Sequence, residues 1–97
     1  MMSNIDFRRA AEIARKQIEE LANAVGDNFA IHPELTKEIG KGWVFFYNSV
    51  EFLSTGNPTS TLIGNGPILI TRNGAIHILP TAIPWAVAVE RLKLSSN

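Results

Sequence analysis

Residues 67–79 read PILITRNGAIHIL, with two apolar runs rich in β-branched side chains, Pro67 to Thr71 and Ala75 to Leu79, on either side of Arg72-Asn73-Gly74. Asn-Gly between such runs is among the strongest short-range signals for an antiparallel hairpin, because both residues tolerate the positive φ of tight reversals. The stretch therefore predicts a hairpin. The rest of the chain must extend it into a sheet and cover that sheet.

Upstream, the aromatic run Trp43-Val44-Phe45-Phe46-Tyr47 predicts a central strand, entered through a reversal at Gly40-Lys41-Gly42. Phe29, Ile31 and Leu35 lie at multiples of two, which suits an edge strand over 29–39, with Pro33 tolerated there because an edge need not use every ladder donor. Thr55-Gly56-Asn57-Pro58 and Gly64-Asn65-Gly66 are turn chemistry around Thr61, Leu62 and Ile63, predicting an ordered loop. At the N-terminus, Phe7, Ala11, Ala14, Ile18, Leu21 and Val25 recur at spacings of four and three, the stripe of an amphipathic helix over about residues 4–25. Ser3 with Asp6 supplies a capping box at its start and Gly26 a stop at its end. After Pro80, Thr81 caps a short helix over about residues 82–92, with Pro84 in its first turn and Trp85, Val89 and Leu92 along one face. The predicted fold is α+β, a long N-terminal helix packed on a small antiparallel sheet spanning about 29–79, plus a short C-terminal helix, in two layers.

Size fits one domain, taken here as residues 1–97. At 97 residues the surface-scaling relations allow roughly 64% of the unfolded surface to be buried, enough for one core. With 45% hydrophobic residues the chain is too apolar to remain disordered. Nine Lys plus Arg balance nine Asp plus Glu, which argues against nucleic-acid binding by phosphate neutralisation. Early charges at Asp6, Arg8, Arg9, Glu12, Arg15 and Lys16 exclude a signal peptide, and no apolar run is long enough for a membrane span, so a cytoplasmic protein without membrane contact is expected. There is no cysteine, hence no disulfide or thiolate chemistry.

Charge is unevenly distributed, Arg72 being the lone Asp, Glu, Lys or Arg between Phe52 and Val89. A surface built from that segment is neutral, which favours contact with another protein; the competing reading is plain core with Ser, Thr and Asn loops. Patterns for chemistry are weak. His32 and Glu34 share one side of a strand, but His77 lies in another hairpin and no third ligand converges, so neither metal nor cofactor is expected. No serine sits in a nucleophile elbow, Glu12, Glu19 and Glu20 alternate with Arg15 and Lys16 as a solvated helix face does, and Gly64-Asn65-Gly66 runs straight into Pro67 without a phosphate-loop pattern. The aromatic strand lacks the flanking cations of a base-stacking platform.

The series Gly42-Trp43-Val44-Phe45-Phe46-Tyr47, Glu51-Phe52-Leu53-Ser54-Thr55-Gly56, Gly64-Asn65-Gly66-Pro67-Ile68, Asn73-Gly74 and Pro80-Thr81 resembles the YrhB-like domain, the immunity protein thirty-five family. The similarity covers about residues 29–92, with the N-terminal helix in the expected place. The resemblance implies a small bacterial protein, not an enzyme, that neutralises a cognate toxin encoded nearby; a chaperone-like or housekeeping protein-binding role is the alternative. It transfers no catalytic motif and no contact residue. From the residues themselves, Tyr47, Asn57, Asn65, Arg72 and His77 are the candidate partner-binding positions, as loop or rim groups within the charge-poor half, and Arg72 at the hairpin tip is the sharpest of them. Uncovered hairpin edges also make a homodimer an expectation.

Overall fold

A computed structural model describes residues 4–62 and 65–92. The long helix α1 spans Phe7–Ala24 and is capped by Asp6, whose carboxylate accepts the Arg9 N–H at 2.8 Å. Asp6 thus fills the role expected of Ser3, which lies outside the described residues. Ala10, Ala14, Ile18 and Ala22 form the buried stripe, and the helix ends at Val25, one residue before Gly26 turns at φ +67°. The small alanines let the helix backbone approach the sheet closely, with Ile18 the largest side chain of the buried stripe.

The region from Phe29 to Ser49 forms a long bent hairpin. The expected edge strand over 29–39 divides into β1, Phe29–Ile31, and β2, Lys37–Ile39, separated by a 3-10 turn at Pro33–Leu35. Pairing continues through His32, whose N–H donates to the Phe46 carbonyl at 2.8 Å, and stops at Pro33, which has no N–H to continue it. The aromatic run likewise divides into β3, Gly42–Phe45, and β4, Tyr47–Ser49. Phe46 lies at the bend between them. β1 pairs with β4 in a two-stranded ribbon, while β2, β3, β5 (Ile68–Thr71) and β6 (Ile76–Ile78) form a four-stranded antiparallel sheet in that order.

The expected hairpin is present. Its turn is closed by the Gly74 N–H on the Thr71 carbonyl and the Thr71 N–H on the Ala75 carbonyl, both 2.9 Å, with Gly74 at φ +89°. The loop between β4 and β5 contains a helix that the sequence reading did not anticipate, α2, Val50–Thr55. Ser49 caps it by accepting the Phe52 N–H at 3.0 Å, and Gly56 ends it at φ +71°. Only Asn65-Gly66 of the expected Gly64-Asn65-Gly66 turn is described; Ile63 and Gly64 lie outside the described residues.

The C-terminal helix α3, Trp85–Arg91, begins three residues later than expected, because Pro84 holds the N-cap position and leaves Thr81 no helix to cap. A residue preceding proline is pushed away from helical backbone angles, so Ile83 could not belong to the first turn.

Alternation along the strands assigns the core. Trp43, Phe45, Ile68 and Ile70 face α1, while Val44, Leu69 and Leu79 face α3 with Ala88 and Val89. The expected two layers are therefore three, with helices on both faces of the sheet. This explains why Trp43 to Phe45 and Ile68 to Ile70 are uninterrupted apolar runs: both faces of these central strands are covered.

Candidate functional site

Arg72 lies in the hairpin turn as expected, but its side chain folds back over the sheet. The guanidinium carbon lies 4.5 Å from the centre of the Trp43 ring. Nη2 donates to the Ile39 carbonyl at 2.7 Å, Nη1 to Glu38 Oε2 at 3.1 Å and Nε to the Gly40 carbonyl at 3.4 Å. Its backbone N–H donates to Lys41 O at 3.1 Å, and its carbonyl accepts the Ile5 N–H at 2.8 Å. A planar five-donor fork that also stacks on an aromatic face is suited to this task in a way lysine is not. Arg72 thus ties the tip of β5–β6 to the β2–β3 turn and to the segment entering α1.

The other four sequence candidates are dispersed. Tyr47 is buried in the α1-side core, its ring 5.8 Å from that of Phe29. Burial pushes its hydroxyl above the ordinary tyrosine range, with the Asn65 side chain pulling the other way. Asn65 donates from Nδ2 to the Tyr47 carbonyl at 3.1 Å, giving that carbonyl a partner beyond the reach of β5, which pairs with β3 only as far as Phe45. Asn57 is exposed and caps the 3-10 turn Pro58–Ser60, accepting from the Thr59 N–H at 3.1 Å and hydroxyl at 2.9 Å. His77 is half-buried on β6, opposite Leu69 and so on the α3 face, whereas Arg72 stacks on the α1 face. Tyr47 and Asn65 are brought together; Arg72 and His77 lie on opposite faces. His32 Nε2 lies 3.2 Å from Glu34 Oε1, a contact made across the 3-10 turn instead of along a strand. Among the described residues no three His, Asp or Glu side chains gather as a metal site.

Two further surfaces stand open, a cleft that the sequence reading missed and a hairpin edge of the kind it expected to be uncovered. Between the β2–β3 turn and α3 lies a cleft of about 350 Å³, lined by Ile39, Gly40, Lys41, Trp85, Ala86, Val89 and Glu90. Lys41 reaches across it to donate to the Val89 carbonyl at 3.2 Å, and Trp85 stands edge-on to Phe46 at 6.1 Å. Trp85 was visible only as one residue of a helix stripe; the sequence held no sign that a neighbouring turn would leave its flank open. None of the five sequence candidates lines this cleft. The second surface is the outer edge of β6, where Ile76 and Ile78 are 42% and 53% exposed.

This arrangement of a helix-covered sheet with an open cleft and an open edge is found in a chain that belongs to the immunity protein 35 family, whose family model matches residues 8–91, from the first turn of α1 to the last residue of α3. Among curated relatives, the uncharacterized protein YrhB of Escherichia coli (strain K12) is 44% identical over 45 residues, 45% of this chain and 48% of that protein. The chain thus spans about half the length of the relative it matches. No solved structure matches. Among the described residues no helix is long and apolar enough to cross a membrane.

Proposed function

We propose that this chain, acting in the cytoplasm as one folded unit, captures a cognate protein toxin and neutralises it stoichiometrically by covering the surface the toxin works with, without catalysis of its own. The observation that carries this reading is the family match over residues 8–91. The cleft beside Trp85 supplies a physical means. Binding energy at protein interfaces concentrates where an aromatic anchor meets a desolvated apolar pocket, and tryptophan is enriched at such points. The toxin places an apolar side chain against Trp85, Ala86 and Val89, while Lys41 and Glu90, of opposite charge at the rim, orient it. His77 shares the α3 face but sits on β6, at the edge of the sheet opposite β2, and has no part in this cleft. Arg72, Asn65 and Asn57 make side-chain hydrogen bonds within the chain and act through the scaffold.

The test is co-expression with the product of the adjacent toxin gene, followed by calorimetric titration. The wild-type chain should rescue growth and form a one-to-one complex. Ala86→Arg fills the cleft from an exposed helix position. It should weaken binding by roughly thirtyfold or more, the threshold of a hot spot, with an unchanged melting temperature. Full binding by Ala86→Arg would remove the cleft from the interface. A wild-type chain that ignores the toxin while suppressing aggregation of unrelated clients would replace immunity with a chaperone-like role.

A further inference from the structure

The outer edge of β6 has a feature that neither the core nor the cleft uses. Within the hairpin, the Thr71 N–H bonds to Ala75 O and the Leu79 N–H to Pro67 O, with Leu69 opposite His77 between them. Residues 75, 77 and 79 therefore turn their backbone groups toward β5, and Ile76 and Ile78 turn theirs away from the sheet. The open ladder is bounded on both sides: the Gly74 N–H is occupied by Thr71 O, and Pro80 has no N–H. Among the described residues nothing partners the two N–H and two C=O groups that remain, and they are carried by residues whose side chains are themselves 42% and 53% exposed.

We infer that this edge pairs with the same edge of a second copy of the chain, antiparallel about a twofold axis through His77. The sequence Ile76-His77-Ile78 is palindromic, so one axis sets Ile76 opposite Ile78 of the other copy twice over and satisfies the four open groups of each copy with four hydrogen bonds in all. The four isoleucines then meet on the α1 face and the two His77 rings on the α3 face, and the four-stranded sheet becomes one of eight strands. Charge selects this edge over the other. The opposite edge is β2, with exposed Lys37 and Glu38, and twofold antiparallel pairing centred on either residue sets two like charges against each other. β6 and its flanks carry no Asp, Glu, Lys or Arg from Asn73 to Val89. The isoleucines and two short strands cover on the order of a few hundred Å², below the roughly 1,200 Å² of stable complexes, so the dimer is of the weak, concentration-dependent class. The inference is independent of the toxin reading.

Sedimentation equilibrium of the wild-type chain from about 10 µM to about 1 mM should show the mass rising toward that of two chains, the behaviour of a small interface. Over the same range, amide exchange at Ile76 and Ile78 should slow by about tenfold, while Lys37 and Glu38 amides do not change. His77→Glu sets two carboxylates face to face at the axis and should return the mass to one chain; His77→Gln should preserve the dimer, and Lys37→Glu should leave it unaffected. A mass of one chain throughout overturns the proposal, as does a dimer in which the Ile76 and Ile78 amides stay unprotected. Protection of those amides only when a toxin is bound overturns it equally, and gives the edge to the toxin.

Discussion

The two edges of the four-stranded sheet are built on opposite plans. β2 carries Lys37 and Glu38 at exposed positions, and Arg72 reaches it from the far hairpin to bond Glu38, Ile39 O and Gly40 O, so this edge is both charged and fastened. β6 has isoleucine at both outward-facing backbone positions, no formal charge, and no side-chain clamp along its outer backbone among the described residues. Charged side chains are a common protection against unwanted strand pairing, and only one edge has them. Half-exposed isoleucines contribute less than buried ones, and polar residues at 76 and 78 would serve a solvated edge as well. The contrast separates a margin designed to stay closed from one whose composition suits an occupant.

The contrast can first be broken at the junction that holds β6 in place. A Cβ at Gly66 would overlap the Leu79 carbonyl, a backbone atom that cannot swing aside, whereas nothing lies within 4 Å of one at Gly40 in the β2–β3 turn. Gly66→Ala should therefore cost about 3–5 kcal/mol and Gly40→Ala less than about 0.5 kcal/mol, read from urea denaturation midpoints at constant slope. A mild Gly66→Ala would mean that the end of β6 yields freely. Next in size is Arg72→Ala. Loss of the Trp43 stack and the carbonyl bonds should cost about 2–3 kcal/mol, and Arg72→Lys should recover less than half, since one ammonium cannot stack on the ring and serve Ile39 and Gly40 together. A negligible loss would show that the β2 edge holds without its fastening.

The same residue shows how far the sequence could be read. Asn73-Gly74 between two β-branched runs located the hairpin, and the four-and-three spacing located α1, because both patterns are local and each follows from the geometry of a single element. The isolation of Arg72 among uncharged residues was equally visible, but it suggested an outward-facing contact. Its inward role depends on Glu38, Ile39 and Trp43, which lie about thirty positions away and meet it only after β3 has paired with β5. α2 was hidden for another reason: six residues hold less than two helical turns, too few for a period, and Ser49 is recognisable as its cap only once the helix is known. The third layer was concealed because residues covered on two sides and residues covered on one differ by alternation, which a four-residue strand barely displays. The cleft at Trp85 depends on where a turn and a helix stop, the least local property of all.

The smallest expected effect separates the two forms of protection at β2. Glu38 is 65% exposed at the side chain, and its ion pair with Arg72 spans 3.1 Å at the surface, where water screens the charges. Such pairs contribute about 0–1 kcal/mol, and the guanidinium keeps both carbonyl acceptors when the carboxylate is neutralised. Glu38→Gln should therefore change stability by less than about 0.5 kcal/mol, and the difference should shrink further in 1 M salt, where the screening length falls to about 3 Å. If Glu38→Gln instead matched Arg72→Ala, the carboxylate would be holding the guanidinium over Trp43, and the fastening and the charge would be one device. If the loss is small, they are separable: the carbonyls of Ile39 and Gly40 hold the edge closed, while Glu38 is free to act on whatever approaches from outside.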